Sequence, residues 1–310
     1  MFEPAALRAL ALIAQTGSVA GAADALGFTP SAVSQQIKRL EAQVGVPLLA
    51  RAGRGVVLTT AGESLAGAAP EVFAAMERAT EAARARSAQP MGTLRVVAFS
   101  TAIRGLLAPC LPLLARRHPA LSLAMDEADP AEAAAAVAAG GADLALVHDS
   151  ADLPSWSGTT PVRRALRTRE VFLDAGDVVV RADHPLAGAG EVTAGDVRAD
   201  AWVTSPPGTA CHDWFQRLFA RSPRPEVRHR IDDFSTQLAL VAAGGVIALV
   251  PRLARPPLPE GLVAVPVRPA PTRRVEAAWR ASSEESPAIR ATLAALAEVA
   301  PAAASVRMGP

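Results

Sequence analysis

The chain has 310 residues, room for two or three compact units at roughly 100–200 residues each. Half of the residues are hydrophobic and a fifth are charged, which excludes a disordered chain. Thirty-one basic against 30 acidic residues leave a net charge of +1, so a polyanion, if one is bound, is met by a local patch and not by the whole chain. From the amino terminus, Leu7, Leu10, Ala11 and Ala14 recur at helical spacing and predict a helix over 2–16, stopped by Gly17. Ser18 then caps a short helix with the small apolar stripe Ala22, Ala23, Ala25 and Leu26, ending at Gly27. Thr29 is an N-cap, and Pro30 takes the first helical position, where its missing N–H costs nothing. The helix over 30–44 buries Val33, Ile37, Leu40 and Val44 and turns Ser31, Ser34, Gln35, Lys38 and Arg39 to the other side.

A polar helix face is what solvent exposure demands of any surface helix, and by itself it names no partner. Here the small residues of the preceding helix permit close packing beneath it. The face mixes side chains that read base edges with cations that hold phosphates. Two apolar runs flanking Arg51-Ala52-Gly53-Arg54 read as a β-hairpin wing immediately afterwards. Residues 1–60 are therefore expected to form a winged helix-turn-helix. Its DNA-facing residues are expected to be Thr29, Pro30, Ser31, Ser34, Gln35, Lys38, Arg39, Arg51 and Arg54, with Arg51 or Arg54 reaching the groove beside the recognition helix. Thr60-x-x-Glu63 reads as a capping box that opens a long helix to about residue 87. Along it Leu65, Ala69, Val72, Met76 and Ala79 alternate steps of four and three, a narrow seam suited to pairing with another copy of the same helix. The segment 61–89 is expected to link the domains and to make the dimer.

The motifs Gly17-Ser18-Val19-Ala20-Gly21-Ala22-Ala23-Asp24-Ala25-Leu26, Thr29-Pro30-Ser31-Ala32-Val33-Ser34-Gln35-Gln36-Ile37-Lys38-Arg39-Leu40-Glu41, Gly45-Val46-Pro47-Leu48-Leu49 and Leu58-Thr59-Thr60-Ala61-Gly62 resemble the amino-terminal domain of the LysR-type transcriptional regulators. The likeness is dense over some 60 positions and departs at Leu49, where that family usually has Phe. It implies sequence-specific binding of double-stranded operator DNA as a dimer or dimer of dimers. It also implies a small-molecule effector domain, and contact with RNA polymerase in the case of an activator.

After Gln89-Pro90-Met91-Gly92, strand-like segments 93–99, 121–126 and 143–147 alternate with helix-like segments 103–117 and 130–139. A second set follows: strand 176–181, a helix start near 194, strand 201–204, helix 209–220, strand 226–230, helix 234–243 and strand 246–250. This predicts two α/β lobes with parallel sheets, and the family resemblance implies an arrangement like the bilobed periplasmic binding proteins. The chain is expected to cross between lobes near 164–169 and 263–268, with lobe one from 90–166 plus 267–302 and lobe two from 167–266. The fold class is thus α+β and multidomain. Ligands of such sheets bind beyond the carboxyl ends of the strands, which selects Ser100, Thr101, His148, Thr204, Ser205 and Phe234 as effector-binding candidates. Ser and Thr at such places also serve as ordinary helix caps.

Cys110 and Cys211 make no disulfide framework, the opening Met1-Phe2-Glu3-Pro4 lacks the features of a secretory signal, and no apolar run reaches membrane-spanning length. A cytoplasmic protein with no membrane partner is expected. His118, His184, His212 and His229 show no metal-ligand spacing, so neither a metal nor a cofactor is assigned. Neighbouring helical residues point about 100° apart, so Cys211 and His212 do not face each other as a catalytic pair, and no enzyme is expected. Two alternatives remain at this level: a thiol-redox regulator acting through Cys211 near a helix start, and a small-solute-binding protein made of the two lobes alone.

Overall fold

The computed structural model describes residues 3–52, 55–84, 89–149, 165–253, 255 and 258–305. Three helices, α1 (Pro4–Thr16), α2 (Val19–Leu26) and α3 (Pro30–Val44), close the amino-terminal core around Leu10, Ile13, Ala22, Ala23, Val33, Ile37 and Leu40. The caps are those expected: Ser18 Oγ accepts the N–H of Gly21 at 3.0 Å, and Thr29 Oγ1 that of Ala32 at 3.2 Å. Strand β1 (Leu49–Ala52) pairs antiparallel with β2 (Gly55–Leu58), Leu49 opposite Leu58, and forms the wing. Glu41 ties α3 to its base, its carboxylate accepting the N–H groups of Leu48 and Leu49 at 2.8 and 3.1 Å.

The long helix α4 (Thr60–Arg84) is capped by Thr59, not by the expected Thr60. Thr59 Oγ1 accepts the N–H of Gly62 at 3.1 Å while its hydroxyl donates to the Pro47 carbonyl at 2.8 Å. One hydroxyl thus starts the helix and anchors it to the wing. The expected dimer seam divides. Ala69 is buried with Phe73 against Leu7 and Ala11 of α1, and Leu65 and Val72 are partly buried in the same cluster. Met76 is 45 % exposed, and Ala79 is exposed as well. The first half of the stripe is consumed within its own chain because α1 crosses it there.

Among the described residues, the strands after α4 build one ten-stranded sheet, and this sheet is mixed where a parallel one was expected. Strand β3 (Gly92–Ala98) lies between and parallel to β4 (Leu121–Glu127) and β5 (Leu144–Asp149). Between β3 and β4 the chain runs through α5 (Ser100–Ala102), a π-helical stretch Ile103–Leu107 and α6 (Ala108–Arg117); α7 (Pro130–Ala138) precedes β5. The 16-residue β6 (Leu166–Arg181) passes through both lobes: residues 166–175 pair with β12 (Thr272–Arg280), and residues 176–181 with β10 (Ile247–Pro251) and β11 (Leu262–Arg268). The polar, exposed run Arg167-Thr168-Arg169-Glu170 disguises the first half of β6 in the sequence. The change of sheet partners consequently falls at 175–176, not near 164–169, and the return falls at 269–271, between β11 and β12, not near 263–268.

At the first crossing Gly176 has no side chain because the Trp214 indole lies on it; a Cβ there would stand 2.2 Å from a ring carbon. Lobe two adds β7 (Val192–Thr193), β8 (Ala201–Thr204), α8 (Ala210–Leu218), β9 (Glu226–Arg230) and α9 (Phe234–Ala243). The helix expected from 194 is a series of turns. Finally α10 (Pro287–Ser305) returns to lobe one, placing Ile289, Leu293 and Leu296 against Leu106, Leu107 and Cys110. Among the described residues no helix is long and apolar enough to cross a membrane.

Candidate nucleic-acid interface and interlobe site

Because Pro30 starts α3 in a fixed direction and the Gly45 C-cap (φ 81°) ends it, the polar face of α3 stands clear of the core. Ser31, Gln35, Lys38 and Arg39 are exposed, whereas Ser34 is half-buried and its hydroxyl donates to the Pro30 carbonyl at 2.8 Å. Thr29 is exposed, with its oxygen engaged as the cap. A groove of about 580 Å³ runs between this helix start and the wing, and Ser18, Ser31, Ser34 and Arg51 line it together. The wing therefore delivers one arginine to the groove that α3 opens. Arg54 lies outside the described residues. Sequence reading missed the contribution of α2, whose first residues Val19 and Ala20 also line the groove; the cap at Ser18 was the available signal.

Between the lobes the organising residue is Arg273, which sequence reading did not single out. Its side chain is wholly buried, and it pairs with Asp174 at 2.8 Å across adjacent strands. The same guanidinium donates to Thr101 Oγ1 at 2.8 Å and to Cys211 Sγ at 3.8 Å, and lies over the rings of Phe99 (5.1 Å) and Trp214 (5.5 Å). Thr101 and Phe99 belong to lobe one, Cys211 and Trp214 to lobe two, so one cation holds side chains from both at the crossing strands. Both strands carry other charges, Arg274 and Glu276 in β12 and Glu170 and Asp177 in β6, so nothing local in the sequence marks Arg273 and Asp174 as the buried pair.

Of the expected effector residues, Thr101, His148, Thr204 and Ser205 are buried and Ser100 is half-buried at the start of α5. His148 meets Phe99 edge to face at 4.7 Å, and neither of its ring nitrogens has a hydrogen-bond partner among the described residues. Burial, reinforced by the charges of Arg273 and Arg217, pushes its pKa well below the usual range and keeps the imidazole neutral. Among the described residues it is thus a buried donor and acceptor without a hydrogen-bond partner, which is a costly state. Phe234 does not cover a cleft as expected: its ring sits in the lobe-two core with Val203, Leu238 and Val250. A first helical residue whose backbone is at a strand exit still turns an aromatic ring inward when apolar partners lie beneath it.

Cys211 is not activated. Burial pushes its thiol up to about 11 in spite of the neighbouring guanidinium, and burial pushes Cys110, inside the lobe-one core, up to about 12. His212 is turned away from Cys211: its Nδ1 contacts the Ser205 carbonyl at 2.9 Å and its Nε2 contacts Gln216 at 3.3 Å. Among the described residues no group of three or more His, Cys, Asp or Glu side chains is placed to hold a metal ion. The two lobes also meet at Asp129, whose carboxylate accepts the N–H of Ala210 at 3.4 Å; burial, followed by the nearby Asp232, Glu132 and Asp213, raises its pKa.

Comparison with known proteins covers both regions. The family model for the LysR substrate binding domain matches residues 87–301, and that for the bacterial regulatory helix-turn-helix protein, lysR family, matches residues 4–63. The small neutral protease regulatory protein of Streptomyces coelicolor (strain ATCC BAA-471 / A3(2) / M145) is 33% identical over 244 residues, covering 78% of this chain and 71% of its own. The HTH-type transcriptional regulator BudR of Raoultella terrigena is 28% identical over 253 residues, 79% of this chain and 83% of its own. A full-length OxyR variant from Pseudomonas aeruginosa superposes with a TM-score of 0.71 at 22% identity, covering 97% of each chain, and full-length BenM with 0.58 at 22%, covering 100% and 99%. At that identity the two structures speak for the fold alone.

Proposed function

The chain belongs to the LysR family of transcriptional regulators, and from that premise we propose how its parts divide the work. Residues 1–60 bind operator DNA, with Ser31 and Gln35 reaching base edges, Lys38 and Arg39 phosphates, and Arg51, together with Arg54, the neighbouring groove. Residues 61–89 link and dimerise. Lobe one comprises 90–175 with 270–305, and lobe two 176–269. Because α1 takes up Leu65, Ala69 and Val72 of the seam, the contact between copies is assigned to the far end of α4, at Met76 and Ala79. A dimer or a dimer of dimers is the assembly, the cell interior the location, and RNA polymerase a partner if the protein activates. No catalytic step and no cofactor enter this reading.

The small-molecule effector is placed between the lobes, beside Ser100, Thr101, His148, Thr204 and Ser205. The observation that carries this is the buried, neutral imidazole of His148, without a hydrogen-bond partner among the described residues and close to Arg273 at the crossing between the lobes. A ligand able both to accept and to donate a hydrogen bond satisfies it, and binding there acts on the groups that join the lobes. The test is a thermal-shift screen of small organic acids, amino acids and aromatic compounds on the intact protein, with His148→Leu as the control. Compounds that stabilise the wild type and His148→Leu equally would remove the site from between the lobes.

A thiol switch through Cys211 has less support, since burial holds that thiol protonated and Cys110 is enclosed in the core of the other lobe.

A further inference from the structure

Lobe one is joined to the DNA-binding domain of its own chain by a contact that family membership does not assign. The turn after α7 enters that domain: Ala139 is 3 % exposed and belongs to the same apolar cluster as Leu10, Ile13, Val33 and Leu40. Next to it Gly140 (φ 75°) lies beside Arg8 and Phe73; a Cβ there would be in ordinary contact, 3.4 Å from Arg8 Nη2 and 3.6 Å from Phe73 Cγ. Arg8 in turn stacks on the Phe73 ring at 5.2 Å, which joins α1, α4 and this turn in one cluster. The opposite end of the same helix touches lobe two, where Asp129, the residue before Pro130, accepts the Ala210 N–H at 3.4 Å.

Helix α7 is 9 residues long, and with its two flanking residues Asp129 and Ala139 it sets these two contacts about 15 Å apart. It is held along its length. Ala133, Ala134, Val137 and Ala138 pack on Val97, Ala145, Val147 and Ala278 of the sheet. At its carboxyl end Arg280 donates to the Val137 carbonyl, and Arg95 donates to the Gly140 carbonyl at 3.2 Å while pairing with Asp143 at 2.7 Å. Two arginines therefore fix the turn that enters the DNA-binding domain.

We propose that α7 is the strut by which the relative position of the two lobes is transmitted to the DNA-binding domain of the same chain, through the Ala139–Gly140 turn. It deepens the reading that an effector acts between the lobes, and rests on it. A change in lobe angle moves the Asp129 end, the packed helix carries the displacement, and the turn shifts α4 and α1, on the latter of which the recognition helix packs.

Amide hydrogen exchange on the full-length protein tests this without any effector. Asp129 makes no side-chain cap to its own helix, so Asp129→Ala breaks the lobe contact and leaves α7 intact. Exchange is expected to rise about fivefold or more both around Ala210 and in residues 6–14 of α1. Reciprocally, Arg8→Ala and Ala139→Glu, which loosen the other end, are expected to speed exchange around Ala210, and the effects of Asp129→Ala and Arg8→Ala combined are expected to fall short of their sum. Arg8→Ala serves even if Ala139→Glu fails to fold. Wild-type exchange in α1 of Asp129→Ala overturns the strut, as do additive effects in the double variant. Either result leaves the effector site between the lobes standing, since no ligand is involved, whereas failure of the His148→Leu control leaves the strut standing.

Discussion

Arg273 and Asp174 face each other as register partners on the two strands that cross between the lobes, guanidinium to carboxylate at 2.8 Å, with neither side chain exposed. Asp174 also accepts the N–H groups of Leu253 at 2.8 Å and Ala175 at 2.9 Å, so its carboxylate is engaged at the crossing between the lobes and is not a spare binding charge. Arg273→Met strands a buried carboxylate and is expected to cost about 3–5 kcal/mol in chemical denaturation. Arg273→Met with Asp174→Asn, which removes the charge and keeps an acceptor, should recover most of it. A double variant no more stable than the single one would mean that the loss comes from the rings of Phe99 and Trp214 and not from the ion pair.

His148 carries the opposite energetics. Replacing a buried imidazole that has no partner among the described residues by leucine removes an unsatisfied donor and acceptor, and His148→Leu is expected to gain about 1–3 kcal/mol in the unliganded protein. The same variant should lose stabilisation by the compounds found in the thermal-shift screen. Stability kept or gained with response lost is the pattern of a binding residue; a large loss of stability would mean that the imidazole is satisfied in solution.

Cys211 is expected to be unreactive. A thiol pushed up to about 11 is thiolate in roughly one molecule per thousand at pH 8, so iodoacetamide should modify the folded protein far more slowly than the unfolded chain. Its folded value lies above its unfolded value, so the neutral thiol contributes stability that is present below about pH 9 and lost as the pH rises toward 11. Rapid alkylation of native Cys211 at pH 7 would reopen the redox reading.

On the DNA side, Arg51→Ala removes one cation from the groove shared by α3 and the wing. Binding to a DNA site selected from a random pool should weaken, and the slope of log affinity against log salt should flatten by about 0.9, one phosphate contact. An unchanged slope with reduced sequence preference would instead make Arg51 a base reader.

Gly62 lies where α4 passes the base of the wing, and a Cβ there would stand 2.1 Å from the Leu48 carbonyl oxygen. Gly62→Ala should cost about 1–3 kcal/mol and loosen the wing, seen as a lower unfolding midpoint and weaker DNA binding. Because the obstruction is backbone, no rotamer change relieves it; wild-type stability would show that the junction yields.

The amino-terminal domain was almost fully legible in the sequence because its determinants are local. Ser18 and Thr29 cap within three residues, Pro30 and Gly45 bound α3, and the polar and apolar faces of α3 follow from a 3.6-residue period. The alternation of strands and helices in both lobes was legible for the same reason, down to β8, β9 and α9. Tertiary structure alone decided what depends on residues far apart in the chain. Arg273 finds Asp174 from 99 residues away, Ala139 is claimed by the core of another domain, half of the α4 seam is taken by α1, and Phe234 turns into its own lobe. A charge inside a strand or an apolar residue at a helix end has several partners of equal chemistry within the sequence. Which one it meets is settled by the register of paired strands and by the surfaces that packing brings together, and neither leaves a local signature.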